Sequence, residues 1–178
     1  DKSERLETLI NELFEITRYH TNTVQVKKLP VDLYALLSQV IDDFYPALSE
    51  KGNTTQISMQ DGLTVTGDPE KLARVFNNLL RNAASYCYPN TEIDIIAIKK
   101  GNHAVVIFKN HGPTIPADQL STIFDKFSRL DEARTSDTGG AVLGLSIAKE
   151  IVNLHVGEIT AQSQAEEITF TVTMPLYN

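Results

Sequence analysis

Two asparagines four residues apart, Asn78 and Asn82 in "RVFNNLLRNAASY", are the first residues in this chain whose spacing suggests chemistry. On a helix they share one face, with Cβ atoms roughly 5–6 Å apart. Leu72, Val75, Phe76, Leu79 and Ala83 take the opposite face. An amide oxygen is a hard, neutral ligand, suited to a magnesium ion that keeps most of its waters and takes its remaining ligands from phosphates. Standing alone, the pair reads more simply as two solvated side chains. Three other stretches change that. In "DTGGAVLGLSIAKEIV" (residues 137–152), Gly140 and Gly144 would expose backbone N–H groups at a helix N-terminus, where the helix dipole stabilises an anion. In "KNHGPTIP", at the end of a strand pattern, Asn110 could accept from an exocyclic amine, and Gly112 would let the backbone approach a ring. "IFDKFSRLDEAR" alternates aromatic residues with Lys126, Arg129 and Arg134, so Phe124 and Phe127 would pin a loop whose cations reach a polyphosphate.

These groups need a scaffold to position them. Residues 1 to about 19 place Leu6, Leu9, Ile10, Leu13, Phe14 and Ile16 at helical spacing, a narrow stripe of bundle type. "VQVKK" alternates like a strand before Pro30. Asp32 caps a second helix with the stripe Leu33, Leu36, Leu37, Val40, Ile41 and Phe44, kinked at Pro46 and stopped at Gly52. "TTQISM" and "LTVT" read as strands around a "DG" turn. "GDPEKL" opens the asparagine helix, with Asp68 as cap, Pro69 in the first turn and Glu70 near the positive helix end. "EIDIIAIKK" and "HAVVIFKN" form a hairpin across "KGN". Between residues 110 and 142 only "DQLSTIF" is periodic, and loops of that length are usually functional. "LGLSIAKEIVNLH" is a helix, and "GEITAQS" with "EITFTVTMP" closes the chain as a hairpin. The expected class is α+β, with helices on one face of a mostly antiparallel sheet.

The 178 residues suffice for one domain and a short appendage. Hydrophobic residues make up 42% and charged residues 22%, which excludes a disordered chain. A net charge of −7 argues against a non-specific grip on nucleic acid. The single Cys87 excludes an internal disulfide and suits a reducing compartment. No apolar run approaches the roughly 20 residues of a membrane span, so the stretch itself is expected to make no direct membrane contact. It begins "DKSERLETLI", without methionine, and is read as a cytoplasmic piece of something longer.

In order and separation, the four stretches resemble the catalytic and ATP-binding domain of sensor histidine kinases. They correspond to that family's asparagine box ("NNLLRNAASY"), first glycine box ("NHGPTIP"), phenylalanine box ("IFDKF") and second glycine box ("GGAVLGL"), over about residues 31–178. "ERLETLINELFEITRY" and "FSRLDEARTSDTGG" are further similar to the vancomycin-resistance sensor kinases. The resemblance implies a two-layer α/β sandwich of Bergerat type: a mixed sheet of about five strands, three helices on one face and a mobile ATP lid. Residues 1–22 would be the second helix of a dimerisation and phosphoacceptor hairpin with its linker, and residues 23–178 the catalytic domain. The implied cofactors are ATP and Mg²⁺. Asn82 would ligate the metal, with Asn78 beside the phosphates. Tyr86, Phe127 and Gly112 would border the nucleotide, Asn110 would read the adenine amine and Ile115 would line the base pocket. Arg129, with Lys126, would meet the terminal phosphate, and Gly140, Leu143, Gly144 and Leu145 would form the lid hinge and phosphate loop. Asn78, Arg129 and Lys126 are therefore the expected catalytic set. The implied partners are the chain's own dimerisation hairpin, a second copy in the full-length protein and a response regulator. The full-length protein would be a membrane sensor with this domain in the cytoplasm.

Within the wider superfamily, gyrase, heat-shock chaperone and mismatch-repair ATPases place a glutamate base four residues before the metal asparagine. Asn78 stands there instead and cannot take a proton from water, which favours transfer to a nucleophile that needs little activation, such as a neutral imidazole. Phosphoryl transfer depends chiefly on positioning and charge stabilisation. Of the four histidines, His20, His103, His111 and His155, none lies in the acidic helical context of the family's phosphoacceptor. The stretch is expected to bind ATP without phosphorylating itself. Five positions depart from the family pattern. Asn110 stands for aspartate, Thr114 for glycine, Ser85 for a lysine near the phosphates and Val142 for a glycine of the phosphate loop. A valine forced to positive φ costs on the order of 1–2 kcal/mol, so the alternative expectation is a regulatory module that binds nucleotide weakly. Val156 likewise replaces a glycine, with Gly157 expected to serve as the left-handed cap.

Overall fold

The computed structural model describes residues 2–21, 24–125 and 143–178. Lys126, Phe127, Arg129, Gly140 and Val142, and with them the implied lid, lie outside the described residues.

Helix α1 (Lys2–His20) divides its apolar stripe between two environments. Leu6, Ile10, Leu13 and Phe14 stay exposed, whereas Ile16 and Tyr19 are buried. The buried side lies against α5 (Gly144–Leu154) and α3 (Pro69–Tyr86). Glu15 pairs with Arg74, and Lys71 Nζ lies 5.5 Å from the centre of the Tyr19 ring. Glu12 is also buried here, so loss of hydration pushes its carboxyl pKa up despite the nearby Arg74 and Arg81.

Beyond α1 the chain adopts the expected α+β fold. Strands β2 (Thr54–Met59), β4 (Glu92–Lys100), β5 (His103–His111), β7 (Glu167–Pro175) and β6 (Glu158–Gln164) form a five-stranded sheet in that order. The β2–β4 pair is parallel and the other pairs are antiparallel. Alternate residues of the central strands are buried: Ile93, Ile95 and Ala97, then Ala104, Val106 and Phe108, then Ile168, Phe170, Val172 and Met174. Helices α2 (Leu33–Glu50), α3 and α5 cover this face, and the short α4 (Ala117–Ser121) follows β5. Phe76 of α3 stacks on Phe108 with ring centres 5.9 Å apart, and Phe108 stands opposite Phe170 in the β5–β7 register. Truncating such a fully buried phenylalanine to alanine costs about 3–5 kcal/mol.

Helix boundaries follow the expected chemistry. Asp32 accepts from the Ala35 amide at the start of α2, which runs on through Pro46. Asp68 Oδ1 accepts from the Glu70 and Lys71 amides at the start of α3, satisfying two of its open donors.

Three expectations need correction. "VQVKK" is not a strand: Val24–Lys28 has no regular structure, and the strand β1 is Leu29–Asp32. The Lys27 amide turns aside to Asp68 Oδ2, and Pro30 is tolerated because β1 pairs only with β3 (Thr64–Gly67). "TTQISM" and "LTVT" do not form a hairpin, since β2 pairs with β4 and β3 pairs with β1. Gly62, at φ +73°, lies in the turn between these two strands, which belong to different sheets. At the end of α5 the left-handed residue is Val156, at φ +58°, and not Gly157. Gly157 is needed for a different reason: a Cβ there would lie 2.6 Å from the Thr173 carbonyl oxygen. The fold tolerates the valine because the capping bonds form regardless, Val156 N–H to Asn153 O and Gly157 N–H to Val152 O.

Candidate functional site

The asparagine helix sets apolar residues on one side and polar residues on the other. Val75, Phe76, Leu79 and Ala83 enter the core, while Asn78, Asn82 and Tyr86 succeed one another on the other side. The asparagines are not solvated. Asn78 is 8% exposed and Asn82 is 4% exposed. Asn78 Nδ2 donates to the Gly144 carbonyl at 2.9 Å, tying the helix to the first residue of α5. Asn82 Nδ2 is buried without a partner among the described residues. A donor left that way costs about 1–3 kcal/mol, and an acceptor such as a phosphate oxygen would satisfy it.

Helix α5 begins at this point. Its N-terminus has no side-chain cap, and among the described residues the Gly144, Leu145 and Ser146 amides are open donors at the positive end of the helix. Gly144 lies close under Asn78: an added Cβ would come 3.3 Å from Asn78 Cγ. The side chains of Leu143 and Leu145, both 2% exposed, belong to the core. Only their backbone is therefore available to an anion. Ser85 is exposed and its hydroxyl donates to the Arg81 carbonyl, which leaves no cation at that position.

The other end of the α3 face meets the loop that follows β5. Asn110 is 1% exposed, and its Nδ2, like that of Asn82, has no partner among the described residues. Gly112 is required by close approach, because a Cβ there would sit 2.2 Å from the Tyr86 carbonyl oxygen. The Tyr88 amide donates to the His111 carbonyl at 2.8 Å, and the Ile115 amide to Ser163 Oγ at 2.9 Å. Ile115 packs partly buried against the core. Phe124 meets Phe170 edge-on at 6.2 Å. Asn78, Asn82 and Tyr86, with the α5 N-terminus at one end and the Asn110–Ile115 loop at the other, thus form a strip about 12 Å long.

Sequence reasoning did not single out Tyr88, Ser163 or Glu166, which hold the loop in place. Glu166 accepts from Gly112 N–H through its carbonyl and from the Tyr88 hydroxyl through its carboxylate. That carboxylate holds the Tyr88 phenol above its ordinary pKa. Nothing in "SQAEEI" signals a contact 50 residues away. Elsewhere, a cleft of about 440 Å³ lined by Val26, Lys27, His155, Leu176 and Tyr177 lies at the far end of α5 and includes none of these site residues. Among the described residues no group of three or more His, Cys, Asp or Glu could hold a metal, and no helix is long and apolar enough to cross a membrane.

The chain is 54% identical to the sensor protein VanS of Enterococcus faecium over 98% of its own length, and 40% identical to VanSC of Enterococcus gallinarum over the same share. It spans 45% and 48% of those two proteins. The full-length structure of ShkA in complex with AMPPNP shares the fold, with a TM-score of 0.86 over 99% of this chain and 37% of that one at 21% identity. Residues 67–178, which include Asn78, Asn82, Asn110, Gly112 and Gly144, match the model of the histidine kinase-, DNA gyrase B- and HSP90-like ATPase family. The chain belongs to the histidine kinase-, DNA gyrase B- and HSP90-like ATPases.

Proposed function

We propose that this chain is the ATP-binding catalytic domain of a sensor histidine kinase. It would pass the γ-phosphoryl group of ATP to a histidine on a dimerisation hairpin, for relay to an aspartate of a response regulator. The carrying observation is the buried, unpartnered Asn82 amide beside Asn78, set between an uncapped helix N-terminus and the Asn110–Ile115 loop. A second buried orphan, the donor Asn110 Nδ2, would meet an acceptor such as a ring nitrogen of a base at the loop end. The space kept open by Gly112 supports it further.

These residues fit a magnesium-bound nucleoside triphosphate. Asn82, neutral and buried, would give one oxygen to the metal, while the first-turn amides of α5 would hold phosphate oxygens. Bound magnesium would neutralise charge on the transferring phosphoryl group. Asn78 is an amide whose nitrogen already donates to Gly144 O. It has no basic site for a water proton, which favours transfer to imidazole over hydrolysis. Lys126 and Arg129 would supply positive charge to the terminal phosphate, and Phe127 would border the base.

The likeness to VanS and VanSC supports a role in glycopeptide-resistance signalling, as the cytoplasmic part of a homodimeric membrane sensor. In this reading residues 1–22 are the second helix of the hairpin, and the exposed Leu6, Ile10, Leu13 and Phe14 await its other helix. The test mixes the 178-residue chain with a separate fragment bearing the phosphoacceptor hairpin and γ-labelled ATP. Label should appear on the hairpin histidine, require magnesium and be lost in Asn82→Ala. Label on the chain alone, or transfer surviving Asn82→Ala, would refute the assignment.

A further inference from the structure

The β6–β7 hairpin turns through two residues, since Gln164 and Glu167 are already paired. Both turn residues have positive φ, Ala165 at +51° and Glu166 at +62°. Turns of this type strongly favour Asn-Gly or Asp-Gly. A glutamate held in the left-handed region persists only where surrounding contacts fix it.

Those contacts all lead to the base-binding loop. The Glu166 amide donates to Thr114 Oγ1 at 2.9 Å. Its carbonyl accepts from the Gly112 amide at 2.9 Å. Its carboxylate accepts from the Tyr88 hydroxyl at 2.7 Å, and Tyr88 in turn donates its amide to His111 O. Three segments are therefore joined at one residue: the chain after α3, the loop after β5 and the hairpin tip. The left-handed backbone lets a single glutamate make all three links.

We propose that Glu166, with Thr114 and Tyr88, is a positioning residue that fixes the Asn110–Ile115 loop against the end of α3 and so sets affinity for the adenine base. The inference rests on the nucleotide-binding reading above. Gly112 has no side chain with which to fix the loop laterally, so beside the Tyr88 and Ile115 amide bonds the hairpin tip supplies the remaining restraint. Thr114 adds a hydroxyl where a glycine would have none, and that hydroxyl is the acceptor for the Glu166 amide.

The test is Mg-ADP binding by calorimetry, together with thermal unfolding, on wild type, Glu166→Gly, Glu166→Gln, Thr114→Val and Thr114→Ser. Glu166→Gly keeps both backbone bonds, relaxes the turn and removes the tie to Tyr88. It should weaken ADP binding about five- to tenfold, the scale of one lost hydrogen bond, without lowering the melting temperature. Thr114→Val removes the acceptor at similar volume and should weaken ADP binding comparably. Glu166→Gln and Thr114→Ser retain an acceptor and should bind within about twofold of wild type. Wild-type affinity in both Glu166→Gly and Thr114→Val would overturn the inference. So would affinity falling only in step with melting temperature, or no rescue by the conservative variants. Wild type failing to bind ADP at all would instead sink the functional reading, and this inference with it.

Discussion

Replacing Val156 with glycine should stabilise the protein. Val156 closes α5 at φ +58° with its side chain 80% exposed. A non-glycine residue in that region costs about 1–2 kcal/mol, and β-branching places valine towards the upper end. Glycine offsets part of this, because its greater freedom in the unfolded chain costs about 0.5–1 kcal/mol. Little burial is lost from so exposed a side chain, and the amide bonds to Asn153 and Val152 carbonyls remain available. The net gain should be about 1 kcal/mol, or about 2–4 °C in Tm for a chain of this size. Urea or thermal unfolding of wild type, Val156→Gly and Val156→Ala measures it, with alanine expected to gain less. Gly157→Ala is the opposing control, since its Cβ would meet the Thr173 carbonyl oxygen at 2.6 Å. A Val156→Gly protein no more stable than wild type would refute the argument from backbone strain.

Gly112→Ala places a methyl group 2.2 Å from a backbone oxygen that cannot rotate away. It should part the loop after β5 from α3 and, on the proposed function, reduce ADP affinity at least tenfold, read by calorimetry, with retained affinity counting against the proposed site. His155 gives a pH dependence. Its Nε2 accepts from the Asp68 amide, so Nδ1 carries the proton donated to Ile151 O. Burial pushes its pKa below the ordinary 6.5, chiefly through lost hydration. The unfolded chain therefore takes up a proton first, so the stability that the neutral ring supplies is complete above pH 6.5 and lost as pH falls from there through the folded value. Wild-type unfolding free energy should fall more steeply over that interval than that of His155→Gln; equal slopes would contradict the assignment.

What could be read in the sequence was local. Asp68-Pro69-Glu70 marks a helix start because one side chain and one ring meet the needs of the first turn. The alternation in β4, β5 and β7 identifies a sheet with one covered face. The errors were non-local. "DG" between two alternating runs is a strong hairpin signal, yet β2 finds its parallel partner only after the chain has crossed through α3. "VQVKK" has a strand's rhythm, but Asp68, some 40 residues later, takes its Lys27 amide. Asn78 and Asn82 were legible as a pair, whereas their burial depends on α5 and β5 arriving from elsewhere in the chain. Lys126, Phe127, Arg129 and Gly140 fall outside the described residues and remain proposals. Glu166 had no local signature, because its partners at 88, 112 and 114 are brought to it only by the folded sheet.

Helices α3 and α5 run antiparallel and are stitched at two places. The Asn78 amide bonds Gly144 O where α5 begins, and His155 takes the Asp68 amide where it ends. The stitches are about 15 Å apart along either axis, so one helix cannot swivel on the other without tearing one of them. The pair should therefore behave as a single stiff plank. In the nucleotide-binding reading, any adjustment on binding falls outside this pair, and slow amide exchange along both helices should change little when the site fills.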